Sequence, residues 1–381
     1  MRPTILQVIP ALENGGVEIE AIEIAKAIVA AGGRALIASR KGRLEAESHM
    51  SGIEFRHLPL DTKNPLQIYK NSALLQKLII KENVDIVHVR SRAPAWSAYL
   101  ATQSLGIPFV TTYHAAYSSQ TIFKTFYNSV MAKGDRIIAI SQFIKDHLIR
   151  KYSKFSWFDP SKIRLIPRGI DYTRFDPLII SEESLQQLRN SWEVPQNTRL
   201  LLLPGRISRT KGQDLLIKAL ARMKHTDVMA IFVGSAFRHE SYRNSLLRLA
   251  SKLNLENRVK WVPPYENIPI AYQLADIIIC PSLVPEGFGR LMAEAQAMQK
   301  PIIASDHGAA REVIENGATG WLTPPGDASA LAKTLDHALD LSQKQLDKMG
   351  TKGRKRVKER FSQEEMSSKT IAVYKELLHK D

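Results

Sequence analysis

Ile277-Ile278-Ile279-Cys280-Pro281, followed by Pro285-Glu286-Gly287-Phe288-Gly289-Arg290-Leu291-Met292-Ala293-Glu294-Ala295, is the stretch that decides how the chain is read. The apolar run has the length and branched side chains of a buried strand. The glycine-bearing segment reads as a turn, and the residues after it as a helix. A strand, a glycine turn and a helix N-terminus bring backbone N–H groups to a place where an anionic, hydroxyl-rich ligand can approach. Glu286 stands ahead of the turn, and Glu294 lies about one helical turn inside the helix. Each adds hydrogen-bond acceptors for hydroxyl groups. Singly, each is also explained as a helix-start glutamate favoured by the macrodipole. A nucleotide-activated sugar is the ligand that fits the whole stretch.

The same strand–helix alternation extends in both directions. In the first half, strands are predicted at Ile5–Ile9, Ala35–Ser39, Phe55–Leu58, Asp85–Val89, Phe109–Thr112, Arg136–Ile140 and Ile163–Ile166. Helices Val17–Ala30 and Leu66–Lys81 lie between them, the second announced by Asn64 as cap and Pro65 at the first helical position. A polar stretch, 176–198, reads as a linker between a first domain at 1–175 and a second at 199–360. The alternation restarts with Leu200–Leu203, Met229–Val233, Val259–Val262, Ile277–Cys280 and Pro301–Ala304. Two α/β domains, each a doubly wound parallel sheet, follow from this pattern. Residues 361–381 read as a terminal helix: Ser362 and Glu365 have capping-box spacing, and Met366, Val373, Tyr374 and Leu377 form an apolar stripe.

Composition agrees. A chain of 381 residues, 44% hydrophobic and 24% charged, is long enough for about two globular domains. Its net charge of +15 calls for an acidic partner: phosphorylated substrate, anionic lipid or nucleic acid. No arginine-glycine tract or aromatic RNA signature supports nucleic acid. The single cysteine, Cys280, sits in a strand-like run and reads as a buried thiol, consistent with a reducing compartment. The first residues read as a strand rather than a signal peptide, and no run of about 18 apolar residues occurs. A cytoplasmic protein is expected, with membrane contact only peripheral.

Further candidate residues fall where strands end. Gly15-Gly16 follows the first strand and opens a helix, with Glu18 in its first turn. The pair lacks the spacing of a dinucleotide fingerprint. His114 follows the strand at Phe109–Thr112. Pro204-Gly205-Arg206 ends the first strand of the second half, and Lys211-Gly212 opens the next helix; two cations there suit a diphosphate. No Asp-x-Asp occurs and His, Cys and carboxylates do not cluster at metal-ligand spacing, so no metal is expected, and Arg206, Lys211 and helix N-termini are left to meet the diphosphate charge. No Gly-x-Ser-x-Gly or Ser-His-Asp arrangement points to acyl hydrolysis.

In this order the pieces resemble the family 4 glycosyltransferases, of GT-B fold. The matching stretches are Gly15-Gly16-Val17-Glu18, His114, Ile140-Ser141, Ile166-Pro167-Arg168-Gly169-Ile170-Asp171, Gly205-Arg206 with Lys211-Gly212, and Glu286 to Glu294. The resemblance implies a central cleft between the domains, donor held mainly by the second, acceptor by the first, and retention of anomeric configuration. It implies that Arg206 and Lys211 hold the donor diphosphate, that Glu286 and the amides of Gly287, Phe288 and Gly289 hold the sugar, and that Glu294 binds ribose. His114 would contact the sugar near the reacting carbon, Gly15 and Gly16 would approach the diphosphate, and the last helix would pack back on the first domain. Arg168 departs from a common asparagine, and Arg290 departs from a small or apolar residue; donor choice is at stake at Arg290. More narrowly, Asn14 to Glu18, Val89 to Trp96 and Glu286 to Arg290 are similar to proteobacterial enzymes of lipopolysaccharide core assembly, which implies GDP-mannose or another sugar nucleotide as donor.

The surplus charge has an expected use. Lys63, Lys70, Lys77 and Lys81 recur at helical spacing, and Lys145, Arg150, Lys151 and Lys154 form a second basic stretch. Singly each is a solvated lysine or arginine; together they fit an anionic lipid surface, at about 1 kcal/mol per residue. Arg90 and Arg92, at a strand's carboxyl end, are expected to read an acidic acceptor. The expected activity is hexosyl transfer to an envelope glycolipid at the cytoplasmic face of the inner membrane. A small soluble acceptor and a non-enzymatic nucleic-acid-binding protein are the alternatives.

Overall fold

The computed structural model describes residues 2–13, 15–48, 51–117, 121–237 and 239–378. Asn14, quoted above as part of the glycine motif, lies outside them. The chain divides into two compact units: residues 1–169 with 363–381, and residues 170–362.

Unit 1 is built on seven strands: β1 (Thr4–Ala11), β2 (Arg34–Arg40), β3 (Glu54–His57), β4 (Ile86–Val89), β5 (Phe109–Tyr113), β6 (Arg136–Ala139) and β7 (Ile163–Leu165). They run parallel in the order β3-β2-β1-β4-β5-β6-β7. The order reverses direction between β1 and β4. Both faces of such a sheet are covered by helices, so the strands read as near-continuous apolar runs. Val87, Val110 and Ile137 are fully or almost fully buried for this reason. The helix at Pro65–Glu82 begins as its sequence specifies, with the Asn64 side chain accepting from Leu66 N at 3.0 Å. Helix Gln363–Leu378 belongs to this unit, and Met366, Val373, Tyr374 and Leu377 complete a core containing Ile5, Ile24 and Ile37.

Unit 2 has six strands: β8 (Arg199–Pro204), β9 (Val228–Val233), β10 (Val259–Val262), β11 (Ile277–Cys280), β12 (Ile302–Ser305) and β13 (Trp321–Thr323). They too are parallel, in the order β10-β9-β8-β11-β12-β13, with the reversal between β8 and β11. Strand β13 was not anticipated, because three residues between Gly320 and Pro324 carry too little periodicity. The stretch 176–198, read as a linker, instead holds the helix Glu182–Ser191, capped by Ser181, and a buried Trp192 against Tyr265. Its polar residues lie on the exposed face of that helix, which is why composition alone resembles a linker. No helix among the described residues is long and apolar enough to cross a membrane.

Helix Gln343–Arg360 packs on helix Arg290–Ala297, which carries Glu294, and the close approach needs a glycine. A Cβ on Gly350 would meet the Gln299 carbonyl oxygen well inside van der Waals contact. Gly350→Ala is therefore expected to destabilise by about 1–3 kcal/mol through overpacking, read as a lowered urea midpoint at unchanged slope.

Candidate active site

In open α/β sheets ligands bind beyond the carboxyl ends of strands where the strand order reverses. In unit 2 that is the place between β8 and β11. The loop after β8 carries Gly205, Arg206, a short turn Arg209–Lys211 and Gly212; the loop after β11 carries Ser282 and Glu286. The two loops are held together. Gly212 has φ +71°, and a Cβ there would strike the Pro281 carbonyl. Lys211 Nζ donates to Glu286 Oε1 at 2.6 Å, and Ser282 Oγ donates to the same oxygen at 2.7 Å. Burial pulls the Lys211 pKa down, but the charge of Glu286, then Cys280 and the Glu286 hydrogen bond, together more than offset it, so the ammonium is held above its usual range. Lys211 has three donors and its bond to Glu286 takes one, which leaves donors for an anion. Arg206 is exposed and makes no ion pair among the described residues.

Gly289, at φ +84°, caps helix Arg290–Ala297 without a side-chain bond. Phe288 is not displayed to a ligand: its ring is buried edge-on against Phe361 at 5.3 Å, and it anchors the turn. Glu294 is oriented from two sides, by the Tyr272 hydroxyl at 2.9 Å on Oε2 and by Arg290 Nε at 3.2 Å on Oε1. Arg290 thus braces Glu294 along one helix face. Ser282, Tyr272 and His307, whose Nε2 lies 2.9 Å from the Ser282 carbonyl, are site residues that sequence reading missed. Ser282 alone had a signal, its place just past a strand. Also missed was a largely apolar pocket of about 450 Å³ at the carboxyl ends of β8, β9 and β10, lined by Ile207, Phe232, Trp261 and Val262, with Glu240 and Arg243 also on its wall. Cys280 is a buried free thiol pushed up to about 11 by burial, as its strand position implied.

Unit 1 places its candidates at the corresponding reversal and beside it. Gly15 and Gly16 start helix Gly16–Ala30, where burial raises the Glu18 pKa. Arg168 reaches this turn from beyond β7: its Nη2 donates to the Gly16 carbonyl and its Nε lies 2.9 Å from Glu20 Oε2. Arg90 does not face an acceptor. It is 2% exposed, and its guanidinium donates to Gln7 Oε1 at 2.8 and 3.0 Å, to Glu20 Oε1 at 2.6 Å and to Thr112 Oγ1 at 3.3 Å. A buried guanidinium needs such partners, and here they consume it. Arg92, two residues later at the start of helix Arg92–Leu105, is half-buried over the Tyr117 ring at 4.1 Å.

His114 has its side chain 8% exposed, with Nδ1 3.9 Å from Glu20 Oε2, and neither ring nitrogen has a hydrogen-bond partner among the described residues. Burial holds its pKa down at about 3 despite Glu20, assisted by Arg168 and Arg90. His88 is buried between the Tyr374 hydroxyl at 2.6 Å and Thr112 Oγ1 at 2.7 Å, and burial, with Arg90 and His114, holds it well below its usual range. Both are neutral when folded and titrate near 6.5 when unfolded. Below 6.5 the unfolded state binds protons that the folded state does not, so stability falls as pH falls. The expected slope is about 1.4 kcal/mol per pH unit for each histidine, continuing towards the folded value. Urea melts between pH 7.5 and 5 check this; a flat profile would contradict it.

Comparison with known proteins agrees with the geometry. Residues 14–174 match the model described as Glycosyltransferase Family 4, and residues 185–356 the model described as Glycosyl transferases group 1. A glycosyltransferase from Rickettsia africae ESF-5 superposes with a TM-score of 0.91 at 38% identity, covering 100% of both chains. Anabaena HepE, solved with UDP and glucose, superposes with a TM-score of 0.85 at 22% identity over 98% of this chain and 100% of that one. The D-inositol 3-phosphate glycosyltransferase of Xylanimonas cellulosilytica is 26% identical over 351 residues, 85% of this chain and 83% of its own. The two units are the Rossmann-like domains of a GT-B glycosyltransferase. The chain belongs to the family 4 glycosyltransferases.

Proposed function

We propose that this enzyme moves a hexose, with retention, from GDP-mannose or a UDP-sugar to an anionic envelope glycolipid such as a lipopolysaccharide core. The observation that carries the donor half is the Lys211–Glu286–Ser282 cluster at the β8/β11 reversal, with Arg206 beside it. Arg206, Lys211 and helix N-termini meet the charge that grows on the leaving diphosphate, the dominant catalytic term in such transfers. The sequence has no Asp-x-Asp, and this reading needs no metal. Glu286 and the amides of Gly287–Gly289 hold the sugar, and Glu294, braced by Tyr272, takes the ribose. The largely apolar pocket at β9 and β10 suits the flat base. An oxygen of the leaving phosphate takes the acceptor proton on the face from which the acceptor attacks.

The lipid half rests on unit 1. Lys70, Lys77 and Lys81 on the helix Pro65–Glu82, and Lys63 just before it, are all exposed, and Leu66, Tyr69 and Ile80 on the same helix are 76%, 72% and 64% exposed. Ile122, Phe123 and Phe126 are exposed on the helix Ile122–Ser129. Exposed basic and apolar side chains on the helix Pro65–Glu82 suit peripheral contact with an anionic membrane, here the cytoplasmic face of the inner membrane. A soluble phosphorylated acceptor is the second reading, favoured by the inositol 3-phosphate relative.

A thermal-shift screen of sugar nucleotides tests the donor. At a hundredfold excess over Kd the right one adds about 2.7 kcal/mol of stability. Product analysis with membrane lipids and with soluble sugar phosphates then separates the two acceptors. Stabilisation by no sugar nucleotide would sink the reading.

A further inference from the structure

Arg92 and Lys151 come from distant parts of unit 1 and meet at one residue. Arg92 opens helix Arg92–Leu105 after β4; Lys151 lies in the last turn of helix Gln142–Tyr152 after β6. The Arg92 guanidinium sits 4.1 Å from the centre of the Tyr117 ring, and Lys151 Nζ donates to the Tyr117 carbonyl at 2.7 Å. Both are half-buried. Among the described residues neither has a carboxylate within ion-pair distance; Arg92 donates only to a neutral amide, Asn128 Oδ1, at 2.8 Å. Beside them His147 buries an Nε2 that has no hydrogen-bond partner among the described residues, and its ring packs 6.1 Å from Tyr113.

Partly desolvating two like charges side by side, with no counter-charge, opposes folding. The Lys151 pKa records this: burial and the Arg92 charge pull it down to about 8. His147 is likewise pulled down to about 4, by burial and then by Lys151 and Arg150. Elsewhere in unit 1 half-buried arginines are matched by carboxylates, as Arg34 and Arg56 are by Glu54 and Glu82. The missing charge here is one a ligand would bring.

We propose that Arg92 and Lys151, gathered around Tyr117, form the subsite that holds the oxyanion of the acceptor sugar, a phosphate or a carboxylate. This rests on the transferase reading above and names the acceptor chemistry within it. Arg92 offers a planar fork of donors, with its stacking on Tyr117 fixing the plane; Lys151 offers a point charge.

The test measures binding of glucose 6-phosphate, glucuronate and glucose by calorimetry, with UDP and GDP present to fill the donor phosphate site. One or both anionic sugars are expected to bind at least tenfold tighter than glucose, and comparison of the two tells phosphate from carboxylate. Arg92→Gln and Lys151→Gln should each lose tenfold or more of that affinity, and the double variant all of the preference. Nucleotide binding should be unchanged in the variants, which also shows that they fold. Equal binding of all three sugars, or an undiminished preference in the double variant, would overturn the subsite. Loss of nucleotide binding by the unaltered protein would instead strike at the donor reading.

Discussion

Replacing Lys211 by alanine is expected to lower turnover by about 10²- to 10³-fold while the fold persists, the range found when one preorganised transition-state donor is removed. The leaving diphosphate gains charge as the bond to the sugar breaks. Lys211 is already held ammonium-bearing by Glu286 and oriented by a 2.6 Å contact, so little reorganisation is needed when that charge appears. The fold should survive because Glu286 keeps the Ser282 hydroxyl at 2.7 Å and is itself partly open to water. Steady-state kcat with the donor found by screening, together with circular dichroism, makes the measurement. Glu286→Gln is the companion variant. If Lys211 served only to position Glu286, the two variants would show the same loss; a lysine acting on the diphosphate gives the larger one. Unchanged turnover in Lys211→Ala would remove it from the site.

Arg90→Met is expected to cost about 3 kcal/mol of stability or more, in the range seen when one partner of a buried ion pair is removed. Methionine fills much of the volume, so the loss is electrostatic rather than a cavity effect. It leaves Gln7 Oε1 without its two guanidinium donors and strips one of the charges facing Glu20, which keeps Arg168. The retained Arg168 is why the lower end of the range is expected. Urea unfolding near neutral pH gives the value, and a loss under about 1 kcal/mol would contradict the burial argument. The same variant separates two roles for this arginine: a residue that read the acceptor would show an effect on acceptor KM with stability intact.

Both units were legible because parallel strands covered on two faces must be apolar throughout, and runs such as Ile277–Cys280 and Leu200–Leu203 carry that mark without tertiary information. The Asn64-Pro65 helix start was legible because a cap is a local interaction. Pairings between distant residues were not. Lys211 and Glu286 were each singled out, yet across a separation of 75 positions nothing says that one donates to the other. Arg90 looked like a cation at a strand's carboxyl end, where ligands bind; its burial depends on Gln7 and Glu20, 83 and 70 residues away. Lys151 read as one basic residue among several, because only the fold brings it to Tyr117. Phe288 was placed correctly in the turn, while the direction of its ring is set by Phe361, 73 positions later.

The helix Gln363–Leu378 completes the core of unit 1, with Tyr374 supplying a hydrogen-bonding partner to the buried His88 ring. Its place in the chain governs the order in which the molecule can be made. Residues 170–362 form a continuous unit, whose entry and exit meet where Ile170 N donates to the Phe361 carbonyl at 2.8 Å. That unit can close as soon as it emerges during synthesis. The earlier-made residues 1–169 must wait, with His88 lacking the Tyr374 hydroxyl and the apolar face around Ile5 and Ile24 uncovered, until the last helix leaves the ribosome. Vectorial synthesis generally favours the amino-terminal domain first. Here the sequence order of the two units and their order of completion are reversed, and the amino-terminal half spends the interval as the portion that chaperones would recognise.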